Sequence, residues 1–271
     1  MSLDPLFAVD GRVVVVTGGM GRLGGHFAQA LRGRGARVAV LDIAVDEGTV
    51  AQRYGGDREG LLFVRADVTN AASLEAALAT VEQAWGPPHA LVNNAAIDAP
   101  PDAPPEENGP FERYPEDSWD RVMAVNTKGV FLCVRTFGAR MAREGRGSIV
   151  NIASIYGIVS PDQRIYEYRR HAGEPFFKPI AYGASKASLL NITRYLATYW
   201  AQSGVRVNTL TLGGVFSQQD ERFVAAYAHR VPLGRMAREN EYDAAVIFLV
   251  SDASSYMTGS NMIVDGGWTA W

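Results

Sequence analysis

Short apolar runs and longer mixed runs alternate along the whole chain. In RVVVVT (12–17) four consecutive valines stand between Arg12 and Thr17, with no alternation of polar and apolar positions. Such a strand is buried on both faces, as strands of a parallel sheet are. Residues 21–32 carry helical periodicity and end near Gly33 and Gly35. ARVAVLD (36–42) predicts a second strand and LLFVRAD (61–67) a third, followed by a helix over 70–84 that stops at Gly86-Pro87-Pro88. HALVNNA (89–95) predicts a fourth strand, and helical periodicity covers 117–143. SIVNIAS (148–154) predicts a fifth strand, 181–202 a helix and VRVNTLTL (205–212) a sixth strand. Helices near 218–229 and 239–250 and a short strand over NMIVD (261–265) complete the pattern. Strand followed by helix, repeated, implies an α/β fold: a doubly wound parallel sheet with helices on both faces.

No linker and no solenoid-type repeat divides the chain, so residues 1–271 are expected to form a single domain. At 271 residues and 47% hydrophobic composition it can bury one sizeable core. Two segments break the rhythm. Residues 98–115 are rich in proline and acidic groups and read as a loop. Residues 157–180 form a longer loop in which Tyr, Arg, His and Lys crowd together, and a loop of that length in a compact domain is usually functional or disordered.

The net charge of -3 gives no footprint for nucleic-acid binding. No stretch approaches the roughly 18 apolar residues of a membrane span, so no membrane partner is expected. The start, MSLDPLFAVDGR, lacks a basic region followed by a long apolar one, and a cytoplasmic location is expected. The single cysteine, Cys133, has no internal disulfide partner and lies in the apolar run GVFLCV, which predicts a buried structural role. No metal site is assigned.

Candidate chemistry begins after the first strand. TGGMGRLG (17–24) places Gly18, Gly21 and Gly24 where a chain must turn tightly, approach a pyrophosphate and open a helix towards it. Asp42 ends the second strand, where a carboxylate accepts bonds from the adenosine ribose hydroxyls and repels a 2′-phosphate. NAD is therefore expected over NADP, with Arg22 as the competing signal for a phosphate. In YGASK, Tyr182 and Lys186 lie four apart on a predicted helix and share a face. A tyrosine near its ordinary pKa of about 10 is a poor base, and a nearby ammonium would bring it towards the working range.

TGGMGRLG, Asp67, NNAA (93–96), Asn126, Ser154 and YGASK, in that order, resemble the short-chain dehydrogenase/reductase family, ordinary branch, over nearly the whole chain to VDGG (264–267). The resemblance implies a Rossmann sheet, a nicotinamide cofactor and a homotetramer or homodimer. Tyr182 resembles the catalytic acid/base and Lys186 the group that holds the nicotinamide ribose and lowers the tyrosine pKa. Ser154 resembles the hydroxyl that polarises the substrate carbonyl, and Asn126 the helix-distorting asparagine of a proton relay. Gly18, Met20, Gly21, Arg22, Leu23 and Gly24 are expected around the cofactor phosphates, and Asp42 with Ile43 at the adenosine ribose. Asp67 and Val68 resemble the adenine pocket, and Asn94, Ala95 and Ala96 the strand end beside the ribose. Gly213, Val215 and Ser217 resemble the segment that closes on the carboxamide, so Tyr182 and Lys186 join the cofactor set as well as the catalytic one.

The chain departs from the family pattern in four places. Arg22 and Ala96 stand where glycine is usual. Leu212 stands where proline is usual, which is expected to loosen the closing segment. Ser154 and Tyr182 are 28 positions apart, beyond the usual gap, and the extra length is the 157–180 segment. It should border the substrate: Arg164, Arg169, Arg170, His171 and Lys178 offer donors to an anion, and Tyr166 and Tyr168 could stack on a ring. A solvated loop or an oligomer contact is the alternative. The string NIASIYGIVSPDQRIYE (151–167) is similar to members associated with bacterial surface-glycan sugar biosynthesis. The expected activity is an NAD-dependent hydride transfer at a secondary alcohol or ketone of a polar, sugar-like or anionic small molecule. An NAD-retaining dehydratase or epimerase and a non-catalytic dinucleotide sensor are the rival readings.

Overall fold

The computed structural model describes residues 5–99 and 104–271; part of the 98–115 loop, residues 100–103, lies outside the described residues, as do residues 1–4. The strands are β1 (Val13–Thr17), β2 (Arg37–Asp42), β3 (Leu61–Arg65), β4 (Ala90–Asn93), β5 (Gly147–Ser154), β6 (Val205–Leu212) and β7 (Asn261–Val264). Among the described residues they form one parallel sheet in the order β3-β2-β1-β4-β5-β6-β7. The order reverses between β1 and β4, and the crevice beyond the carboxyl ends of strands at such a switch point is where this architecture takes ligands.

The four valines of β1 show why the strand carries no polar alternation. Val14 and Val16 pack with Phe27, Leu31, Val246 and Leu249, whereas Val13 and Val15 face the other layer with Leu74, Phe137, Met141 and Leu189. The helices behind these contacts are α1 (Arg22–Arg32) and α10 (Asp243–Val250) on one face, and α3 (Ala71–Trp85), the run from α4 (Glu116–Met123) to α6 (Ala139–Arg143), and α8 (Ile180–Tyr199) on the other. Cys133, in α5 (Gly129–Cys133), is buried in this second layer, and burial pushes its thiol up to about 12.

A buried polar chain fixes α8 against the sheet. Asn93 Nδ2 donates to Asn151 Oδ1 at 2.8 Å, Asn151 Nδ2 donates to Thr193 Oγ1 at 2.9 Å, and Thr209 Oγ1 donates to the same hydroxyl at 2.7 Å. Buried polar groups of this kind are costly unless paired, so pairing sets both the register and the rotation of the helix.

The sequence pattern departs from the fold in three places. α2 (Glu47–Tyr54) has no counterpart in the hydrophobic pattern, because only Val50 and Tyr54 are buried along it. Its signal is local: Asp46 accepts from Thr49 N at 2.9 Å and Thr49 Oγ1 accepts from Asp46 N at 3.2 Å, a reciprocal cap. The helix over 117–143 is continuous in direction but contains two π-turns, Ala124–Lys128 and Val134–Gly138. The 157–180 segment is not an open loop. It folds into 3₁₀ turns at Ile155–Gly157 and Gln163–Tyr166 and the short helix α7 (Glu167–His171). Tyr166 anchors it by stacking on Phe223 of α9 (Glu221–Arg230), with ring centroids 5.5 Å apart.

Candidate active site

The glycine-rich turn is shaped by what lies beneath it. Gly18 has φ +66°, and a Cβ there would stand 2.7 Å from the Ala95 Cα; a Cβ on Gly24 would stand 2.7 Å from Asn94 Nδ2. The turn is sewn to the strand ends: Gly18 N donates to Leu41 O at 2.8 Å, and Asn94 Nδ2 donates to Thr17 O and Gly18 O, each at 3.1 Å. Thr17 Oγ1 accepts from the backbone N–H of both Asn94 and Ala95 at 3.1 Å. The Asn94 side chain is therefore committed to the turn, and Thr17, which lies inside the TGGMGRLG string, is a bracing residue that sequence reasoning passed over. α1 begins at Arg22 after the N-cap Gly21, which offers no side-chain acceptor, so the first N–H groups of the helix are left for an anion. These features fit a dinucleotide pyrophosphate.

Asp42 stands at the end of β2 with its carboxylate fixed by two backbone donors, Met20 N and Ala44 N, both at 3.0 Å. Arg22 turns to Glu239, its Nε 3.1 Å from Oε1, and His26 Nε2 lies 2.7 Å from the other Glu239 oxygen. Ile43 is exposed beside Asp42. Asp67 is exposed and accepts from Thr69 N at 2.8 Å, whereas the Val68 side chain is buried in the core layer shared with Leu74. Leu23, Asn94 and Ala96 line one cavity of about 500 Å³ together with Ser154, Tyr182, Lys186, Gly213, Val215 and Ser217. Part of the cofactor set thus shares a chamber with Ser154, Tyr182 and Lys186 at the carboxyl ends of β4, β5 and β6, whereas Gly18, Gly21, Gly24, Asp42, Asp67 and Asn126 lie outside its lining.

Within the chamber Ser154, the last residue of β5, lines the same wall as Tyr182, and its Oγ accepts from Tyr156 N at 3.2 Å. Lys186 is almost fully buried; its Nζ donates to Ile152 O at 2.8 Å and lies 5.9 Å from the Tyr182 ring centroid. Burial pushes Tyr182 up to about 12; the Asp98 carboxylate adds to this and the Ser154 hydroxyl opposes it. Burial brings Lys186 down to about 8, against a smaller upward pull from Asp98. Tyr182 and Lys186 share a helix face as expected, and among the chain's own groups burial is the largest influence on the phenol. Asn126 is fully buried within the first π-turn. Its Nδ2 donates to Ile97 O at 2.8 Å and Ser185 Oγ at 3.0 Å, and its Oδ1 accepts from Ile97 N at 2.8 Å.

The segment after β6 is held rather than loosened. Tyr242 Oη donates to Gly213 O at 3.0 Å, Gly214 N donates to Tyr227 Oη at 2.6 Å, and Gln219 bridges Ser217 N and Val215 O at 2.6 and 2.8 Å. Leu212 itself closes the β6 ladder opposite Ser154 and Val264, so these tyrosines supply the rigidity a proline would have given.

Most of the cations expected at the substrate are spent elsewhere. Arg164 binds Asp162 through both ends of its fork at 2.9 Å, Arg169 Nε binds Glu174 at 2.9 Å, and Arg170 donates to Phe176 O and Gln163 O at 2.9 Å. His171 is exposed, and Tyr168 lies under Arg222, 4.6 Å from ring centroid to guanidinium carbon. Only Lys178 and Tyr166 from this segment's polar set reach the chamber. Arg164, Arg169 and Arg170 brace the segment itself, and Lys178 is its one cation in the chamber lining.

Residues 18–269 match the family model described as enoyl-(acyl carrier protein) reductase, a group of the short-chain dehydrogenase/reductases. The chain belongs to this family. The enzyme is an oxidoreductase, and its family works with nicotinamide cofactors. It is 33% identical over 275 residues to D-threitol dehydrogenase of Mycolicibacterium smegmatis, covering 99% of this chain and 97% of that one. It is 31% identical over 271 residues to an NAD-dependent glycerol dehydrogenase of Listeria innocua, covering 98% and 97%. Among solved structures, a gluconate 5-dehydrogenase from Burkholderia cenocepacia in complex with NADP and tartrate superposes with a TM-score of 0.83 at 27% identity, covering 98% of each chain.

Proposed function

We propose that the enzyme oxidises a secondary hydroxyl of a small polyol or related sugar, with NAD as cofactor. The observation that carries this reading is that Ser154, Tyr182 and buried Lys186 line one chamber together with Leu23 of the glycine-rich string and the segment Gly213–Val215. In this reading the nicotinamide supplies a hydride acceptor. Tyr182 takes the hydroxyl proton, Ser154 steadies the substrate oxygen, and Lys186 stabilises the phenolate as it forms. Asn126 keeps the first turn of α8 in place so that these groups stay aligned. The names of the relatives, a threitol and a glycerol dehydrogenase, support a polyhydroxylated substrate. The resemblance of 151–167 to members associated with surface-glycan sugars points to the same chemistry.

NAD is preferred in this reading because Asp42 presents a carboxylate fixed by two N–H groups, and because Arg22 is engaged by Glu239. Asp67 and Val68 would border the adenine, Gly213 to Ser217 the carboxamide. A homo-oligomer is supported by the exposed face of α5 and α8: Phe131, Tyr195 and Tyr199 are each at least half exposed, and the two tyrosines stack at 5.9 Å. A cytoplasmic location is part of the proposal; among the described residues no helix is long and apolar enough to cross a membrane.

The test is to follow reduced nicotinamide over a panel of three- to six-carbon polyols with NAD and with NADP. One NADH formed per ketose supports the proposal. Product formation with no net NADH would favour an NAD-retaining dehydratase or epimerase, and no turnover of any polyol would sink the reading.

A further inference from the structure

A second cavity, of about 700 Å³, adjoins the chamber that holds Ser154 and Tyr182. Tyr156 and Lys178 line both, so they form the wall between them. Lys178 is held in place by an ion pair with Asp98, which lines only the inner chamber, and its Nζ stands 5.1 Å from the Tyr182 ring centroid. The wall is therefore within one side chain of the reacting hydroxyl. Tyr156 is braced by packing against the buried cluster of Ile155, Ile165, Tyr166 and Tyr227, whereas Lys178 is an unbranched side chain held at its tip by Asp98. Of the two, Lys178 is the movable half.

The outer cavity has a different character from the inner one. Phe111, Ile158, Phe177 and Ile180 give it apolar sides. Glu107 also lines it and is almost fully buried; Oε1 accepts from the Tyr114 hydroxyl at 2.8 Å, while Oε2 has no hydrogen-bond partner among the described residues. A buried acceptor without a donor is a natural seat for a hydroxyl. The cavity thus suits the distal carbons and terminal hydroxyl of a chain whose reacting carbon lies at Tyr182.

We propose that Lys178, latched by Asp98, is the length gauge of the substrate chamber, and that the outer cavity is a distal subsite opened when this latch is removed. This deepens the polyol reading and rests on it for the natural substrate. With the wall in place the inner chamber admits short alcohols; without it, longer ones extend past Tyr156 towards Glu107.

The test uses two ladders, linear polyols of three to six carbons and 2-alkanols of four to eight, on the wild type, Lys178→Ala and Asp98→Ala. Each compound is measured for kcat/KM and, by calorimetry on the NADH complex, for binding. We expect the ratio of long- to short-chain kcat/KM or affinity to rise at least tenfold in Lys178→Ala and by a smaller factor in Asp98→Ala, with NAD affinity unchanged. Glu107→Gln in the Lys178→Ala background should reduce the gain for long polyols but not for 2-alkanols. The same length dependence in wild type and variants, including none at all, overturns the proposal, as would a uniform loss across both ladders. If 2-alkanols show the shift while no polyol reacts, the gauge stands and the polyol reading falls.

Discussion

Asn126 and Ser185 share a hydrogen bond of 3.0 Å that joins a π-turn to the helix bearing Tyr182 and Lys186. Ser185 Oγ in turn donates to Tyr182 O at 2.8 Å. The π-turn gives Asn126 a position from which one amide serves both this helix and Ile97, in the segment after β4. Asn126→Ala would leave the Ile97 N–H and C=O without their partner. The expected loss of stability is at most roughly 2–6 kcal/mol, from about one to three for each of the two part-buried polar groups left unpaired. Chemical denaturation checks this, and a loss under about 1 kcal/mol would mean that the π-turn holds its shape without the side chain.

Tyr182→Phe removes the only ionisable atom of that ring while keeping its packing. Turnover should fall by about 10²–10⁴-fold, the usual worth of positioned proton transfer, and NAD affinity should hold. Steady-state kinetics and a cofactor titration measure the two effects separately. A variant keeping more than about a tenth of wild-type turnover would remove Tyr182 from the acid/base role.

Asp98 raises the pKa of both Tyr182 and Lys186. In the proposed reaction the Tyr182 phenolate takes the hydroxyl proton, so the oxidation rate should climb with pH as Tyr182 loses its own. Asp98→Asn deletes a negative charge that opposes the phenolate, lowers the tyrosine pKa and moves the rising limb of the pH–rate profile to lower pH. Because the Asp98 side chain is 55% exposed, solvent screens its charge and the shift should be small. A limb that stays in place or moves to higher pH contradicts the assignment.

Asp42→Ala should narrow or reverse the preference for NAD. A carboxylate held by two N–H groups repels a 2′-phosphate at close range, and alanine does not. The measurement is kcat/KM with each cofactor, in wild type and variant. A wild-type preference for NADP would show that Arg22 leaves Glu239 for the phosphate.

The sheet was legible because its central strands are buried on both faces and its turns are marked by glycine, so that the β1 valines alone call for a packing layer on each face. The positions of Tyr182, Lys186 and Ser154 were legible because helix and strand periodicity place them. What escaped were features set by partners distant in sequence. α2 buries too little to leave a periodic trace. The roles of Arg169 and Arg170 depended on where Glu174 and two carbonyls fell, which spacing does not reveal. The tyrosine pKa depended on how far α8 sinks towards β5, a matter of packing rather than motif.

α2 also ties two problems together that are usually treated apart. Its Arg53 donates to the carbonyls of Gly21 and Arg22 at 3.3 and 2.6 Å, and its Tyr54 hydroxyl donates to Gly19 O at 2.6 Å. The stretch from Asp42 to Tyr54 is where an engineer would rewrite cofactor choice, yet its far end is the brace of the phosphate turn. A graft of residues 43–54 from an NADP-using relative would exchange the brace along with the selector. Retargeting this enzyme therefore calls for single changes at the strand end, with Arg53 and Tyr54 kept as its foundation.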